Sequence, residues 1–172
     1  MGPLRESGKT TAIRVLKYKN VVVATNLNSG FRIRLKKLAV LTHLILKKLR
    51  FAHISLSLVF VSDSQIKHLN QRYLNHSWVT DVLAFPFSDF TRHKSALGNY
   101  SFLGEVIISP KRANVYARKL EIPFEEEFMR YICHGILHLK GHSDHSAEEK
   151  RKMRRTENQL LSLLGSRIQG II

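Results

Sequence analysis

The stretch HGILHLKGHSDH, residues 134–145, holds four of the chain's nine histidines and one aspartate. Imidazole and carboxylate are both good zinc ligands, and a catalytic zinc commonly takes three protein ligands and keeps a fourth position open. His134 and His138 stand at i and i+4, so on a helix they project from one face toward a common point. If that helix ran on, His142 would lie about 12 Å along the axis from His134, and His145 about 16 Å. One ion cannot span such distances, so the chain must turn, and Gly141 supplies the stop. After the turn, either Asp144 or His145 can reach back to the pair. Gly135 occupies the position where H-E-x-x-H proteases carry their general base. Peptide hydrolysis therefore lacks its base, whereas metal-assisted hydrolysis of another substrate stays open.

Those residues must be held by a folded domain, and the composition allows one. The chain has 172 residues, 44% of them hydrophobic, which fits a single globular domain. Lys and Arg interrupt every apolar segment, so no membrane span is expected. The opening MGPLRESGKT lacks the apolar core of a secretory signal. Cys133 is the single cysteine, which excludes an internal disulfide and a Cys-rich zinc site and fits a reducing compartment such as the cytoplasm. The formal net charge is +15. Such an excess attracts polyanions, nucleic acid above all, through phosphate contacts and counterion release; a basic surface within a larger assembly is the alternative. Charge does not separate RNA from DNA.

Residues 1–18 are basic and lack clear periodicity, and they are expected to form a disordered extension. GPLRESGKTT resembles a phosphate-binding loop, but five residues separate Gly2 from Gly8 where that loop has four, and no strand precedes Gly2. NVVVATNL (20–27) reads as a strand, and Asn28-Ser29-Gly30 as a turn. Residues 31–51 read as an amphipathic helix, with Leu35, Leu38, Leu41, Ile45 and Leu49 on one face and Lys/Arg on the other. ISLSLVFVS (54–62) is a strand, and Ser62 or Asp63 caps a helix through Tyr73. DVLAFPF (81–87) and FLGEVIIS (102–109) are strands flanking a polar loop, with Pro86 marking an edge or a strand end. Helices follow from Pro110 to Ile122, from 123 to 141, and from 146 to 165, the last with Ser146 and Glu149 as a capping box. The expected class is α+β: a small mixed β-sheet of about four strands packed against about five helices in a single domain.

Three blocks of this sequence resemble the YbeY family of bacterial endoribonucleases. HGILHLKGHSDH is similar to that family's H-G-x-L-H-L-x-G-Y-x-H signature. LNQRYLNHSWVTDVLAFPF (69–87) is similar to its L-N-x-x-Y-R-x-x-D-x-P-T-D-V-L-S-F-P-F block, and FLGEVIIS to its L-G-D-I-x-I-S strand. The resemblance covers about residues 50–165 and implies that residues 19–168 form one catalytic domain. It implies a single-strand-specific endoribonuclease in 16S rRNA 3′-end processing and ribosome quality control. The implied cofactor is one Zn2+ ion. The implied partners are ribosomal RNA and components of the small ribosomal subunit, in the cytoplasm.

By the same resemblance the metal ligands are His134, His138 and Asp144, the last at a position where most members carry His; a one-residue insertion would instead place His145 there. The family's phosphate-directed Arg is Leu74 here, and leucine makes no charge-assisted bond to phosphate. His76, Arg72 and Lys140 are the candidates to replace it, His76 as a catalytic group and Arg72 and Lys140 in substrate binding. For any one of them singly, a solvated surface residue is the preferred reading. Val79 replaces a family Pro. Phe85, Phe87, Phe102, Phe124 and Phe128 are expected in the core, whereas Trp78 is open to stacking on a base. Thr80 and Asp81 are expected to shape the strand entry. Glu105 either lines the cleft or faces solvent, and the basic helix 31–51 either contacts RNA or is simply solvated. The competing class is a ribosome-assembly factor that binds RNA and uses the metal as a structural staple.

Overall fold

The computed structural model describes residues 11–17, 19–28, 30–87 and 100–172. Residues 1–10, with both glycines of the GPLRESGK stretch, lie outside the described residues. So do Tyr18, Ser29 of the expected turn, and 88–99 of the polar loop.

The elements in chain order are β1 (Thr11–Lys17), β2 (Asn20–Asn26), α1 (Leu35–Lys48), β3 (Ile54–Phe60), α2 (Asp63–Leu74), β4 (Val82–Pro86), β5 (Ser101–Ile108), α3 (Pro110–Leu120), α4 (Phe124–Leu139) and α5 (Ala147–Leu164). A 3₁₀ turn, Gly165–Ile168, follows α5. The strands form one sheet of order β1-β2-β3-β5-β4. The inner strands β2, β3 and β5 are parallel, and β1 and β4 are antiparallel edges. The α+β class holds, with five strands rather than about four.

The additional strand corrects the expected extension. Thr11–Lys17 pairs with β2 from Thr11↔Asn26 to Lys17↔Asn20. Its apolar signal is short: Ile13 and Val15 alternate and half-bury against the core. Flanking Arg14 and Lys17 conceal the period-two pattern, and charged residues are what an edge strand tolerates. The helix expected over 31–51 is also shorter. The Arg34 N–H is held by the Ile171 carbonyl at 2.8 Å, and Arg50 takes a left-handed backbone with φ of 62°, which ends the helix.

Period-two alternation divides the core between the sheet's faces. Val106 and Ile108 of β5, with Leu56 and Leu58 of β3, join the main core with α1, α4 and α5. Ile107 joins Leu83, Val61 and Ile66 of α2 in a smaller cluster on the other face. Phe128 is fully buried, and Phe85 and Phe124 are partly buried against these clusters. Phe87 and Phe102 meet edge to face, with ring centroids 5.6 Å apart.

Candidate metal centre

α4 and the turn after it carry the HGILHLKGHSDH stretch. Glu125, Glu126 and Glu127 occupy the helix's first turn, where they complement its dipole. Gly135 faces the sheet: a Cβ there would sit 2.3 Å from Val106 Cγ1. The position of the protease base is thus a point of close helix–sheet approach, and His134 beside it is turned toward α5.

At its end α4 closes in a Schellman motif. The Gly141 N–H donates to the His138 carbonyl at 2.9 Å and the His142 N–H to the Leu137 carbonyl at 3.0 Å, with Gly141 at φ of 92°. This turn is the chain reversal that the spacing of the histidines requires. It aims the His142 carbonyl at His138 Nδ1, 3.0 Å away, so His142 contributes its backbone and not its ring. The turn also returns Asp144 to the pair. His134, His138 and Asp144 form a cluster whose ligand atoms lie within 4.8 Å of one another. His145 is exposed and outside that cluster.

The second nitrogen of each imidazole has its own partner. His134 Nδ1 lies 2.8 Å from Glu157 Oε1 on α5. Carboxylate and carbonyl oxygens only accept, so each Nδ1 carries the proton and each Nε2 presents a lone pair. Those two Nε2 atoms are 2.9 Å apart. Asp144 oxygens lie 3.8 Å from one and 3.9 Å from the other. Lone pairs facing each other at that distance repel unless a proton or a metal cation lies between them. A tetrahedral zinc with bonds of about 2.0–2.1 Å separates its ligand atoms by roughly 3.3 Å, and the three observed separations bracket that value. The residues present therefore fit a divalent ion.

Electrostatics agree. Burial, and then neighbouring His134, hold His138 below the usual imidazole range, so it is neutral at pH 7, the form that binds metal. Burial pushes the Glu157 carboxyl up, but the hydrogen bond from His134, with the charges of Arg154 and Arg130, brings it below the usual carboxylate range. Burial outweighs Arg130 at Glu127, whose carboxyl is raised. Arg130 is itself buried and fully engaged, by Glu126 at 3.1 Å, Glu127 at 3.2 Å and Asn158 at 2.7 Å. A cavity of about 400 Å³ opens beside His134 and Asp144, with Thr80, Asp81, Lys150 and Arg154 on its walls.

The family profile described as Endoribonuclease YbeY matches residues 25–165. The chain belongs to the YbeY family. An Endoribonuclease YbeY of Thermodesulfovibrio yellowstonii is 42% identical over 115 residues, covering 66% of this chain and 69% of that protein. One from Aquifex aeolicus is 38% identical over 135 residues, covering 77% and 85%. The solution structure of a Thermotoga maritima protein is similar at a TM-score of 0.51 and 28% identity, covering 80% of this chain and 84% of that one.

Of the other sequence-selected residues of this YbeY chain, Thr80 and Asp81 line the cavity beside the cluster. His76, Arg72 and Lys140 are not among the cavity's lining residues. Arg72 sits on α2, whose apolar side packs on the opposite face of the sheet, and lies 5.8 Å from the Tyr73 ring. His76 stacks on exposed Trp78 at 4.3 Å, so Trp78 covers one face of it. Lys140 donates to the Leu49 carbonyl at 2.6 Å and lies over the Phe51 ring, tying α4 to the end of α1. Glu105 points to the α2 face and accepts from Ser57 Oγ at 2.8 Å. Asp81 accepts from Arg112 Nε at 3.0 Å while also lining the cavity.

Sequence reasoning missed Glu157. It sits in the buried stripe of α5 with Met153, Leu160, Leu161 and Leu164. A carboxylate at an apolar position of an amphipathic helix is the signal that could have found it, because a buried charge requires a partner.

Proposed function

We propose that this chain is a metal-dependent, single-strand-specific endoribonuclease of ribosomal RNA maturation. In this reading it acts in the cytoplasm on ribosomal RNA and small-subunit components, with one zinc ion held by His134, His138 and Asp144. The observation that carries this reading is the pair of Nε2 lone pairs 2.9 Å apart with Asp144 closing the triangle. Relatives named Endoribonuclease YbeY support the substrate class, and the net charge of +15 supports a polyanion.

When bound, zinc supplies the positive charge that favours attack of water on a phosphodiester and stabilises the charge that develops there. The chain's own residues prepare for this. Glu157 and the His142 carbonyl fix the ring orientations and tautomers, as outer partners of metal-bound histidines commonly do. Asp144 is half-exposed at the cavity, which leaves one side of the cluster open to substrate.

The assay is cleavage of single-stranded RNA by zinc-loaded protein against the same protein after chelation. Metal-dependent cleavage that spares duplex RNA is expected; equal rates in both forms would refute the reading. A second reading is favoured by Leu74, 49% exposed where the family carries its Arg. There the metal staples α4 to the following turn in a non-catalytic ribosome-assembly factor. That reading predicts a large drop in melting temperature on chelation and no cleavage by the loaded protein.

A further inference from the structure

Two basic side chains of α5 stand at the candidate metal centre. Lys150 and Arg154 are exposed, one turn apart, and line the cavity beside His134 and Asp144. Arg154 Nη1 lies 3.4 Å from Glu157 Oε2, and the other oxygen of that carboxylate holds His134. The guanidinium is therefore anchored at one nitrogen, with its side chain 52% exposed. Arg154 also lines a second, open groove of about 1020 Å³, whose other cations are Lys48, Arg151 and Arg155. None of those three has a carboxylate within ion-pair distance among the described residues, whereas Lys152 on the same helix pairs with Glu148. Cations without an ion-pair partner among the described residues, lining a groove that shares Arg154 with the cavity at the His134–Asp144 cluster, suit a chain of phosphates.

We propose that α5 provides the phosphate track of this protein. Lys150 and Arg154 meet the phosphate next to the metal centre. Arg151, Arg155 and Lys48 carry the single-stranded RNA backbone away from it, over α5 to the end of α1. The contacts are electrostatic and read no base, so the track is sequence-tolerant. This rests on the nuclease reading for the identity of the nucleic acid.

The test is the salt dependence of binding of a fluorescent single-stranded RNA to zinc-loaded protein. Lys48→Ala/Arg151→Ala/Arg155→Ala leaves the metal centre and Arg154 intact. Loss of three phosphate contacts lowers the slope of log K against log salt by about 2, at about 0.7 per contact. The wild-type advantage then shrinks roughly eighteenfold between about 50 and about 200 mM salt. Zinc content and melting temperature stay at wild-type values. Lys67→Ala/Arg118→Ala/Lys119→Ala removes equal charge from α2 and α3 and is expected to change the slope far less. An unchanged slope in the α5 variant, or an equal loss in the control, overturns the track. Failure of the nuclease reading looks different: loaded protein that cleaves nothing yet binds RNA with an α5-dependent slope keeps the track and removes the activity.

Discussion

Glu157→Ala deletes the acceptor of the His134 Nδ1–H while replacing no proposed ligand. The bond is 2.8 Å long and the carboxylate is 4% exposed. Removing the outer partner of a metal-bound histidine costs about 10–100-fold in affinity, or about 1.4–2.7 kcal/mol. The upper half of that range is expected, because the lost bond is buried and accepted by a charged group. Without it, His134 is free to carry its proton on Nε2, the atom that faces His138. Arg130 keeps Glu126, Glu127 and Asn158, so the domain stays folded and affinity can be read separately from stability. Glu157→Gln retains a carbonyl acceptor without the charge and should lose only about tenfold. The assay is competition for zinc against a chromophoric chelator at pH 7, with cooperative melting as the fold control. Wild-type zinc affinity in a folded Glu157→Ala protein would refute the reasoning.

Asp144→Ala is expected to lower zinc affinity by more than the roughly 100-fold limit of an outer-partner change, while His145→Ala stays near wild type; the same competition titration reads both. Gly135→Ala drives a methyl into Val106, and overpacking of about 1–3 kcal/mol exceeds the helix-propensity gain of up to about 1 kcal/mol. Urea denaturation should show the loss, and Val106→Ala in the same protein should recover part of it. The Glu127 carboxyl is raised by burial, so its protonated form contributes stability that is present below the ordinary carboxylate range and is lost as pH rises through the folded pKa. Glu127→Gln mimics that form, and its unfolding free energy relative to wild type should therefore increase from about pH 4 to pH 7. A flat difference over that range would show that Arg130 cancels the effect of burial.

Most elements were legible because their signals are local. The β-branched run of β2, the cap at Ser62, the capping box at Ser146, and Pro110 in the first turn of α3 all act within a few residues. β1 escaped because two half-buried residues define its periodicity and its stability comes from pairing with β2. Glu105 illustrates the same limit: its strand was readable, but which face it occupies depends on the register of β5 against β3 and on the helices covering each side.

The sequence by itself determined that His134 and His138 share a helix face and that the chain must turn at Gly141, because helical rise and a left-handed stop are properties of adjacent residues. It also carried the family, through motif blocks in order, and the attraction to polyanions, through net charge. The sequence favoured Asp144 over His145 only through family register; the tertiary structure is what brings Asp144, and not His145, beside the pair, since that depends on how far the Schellman turn swings the chain. Only packing of α5 on α4 brought Glu157 to His134 and set Lys150 and Arg154 at the cavity. Those contacts join residues separated by a turn and a second helix, and the docking of two helices, not local spacing, decides which side chains face each other.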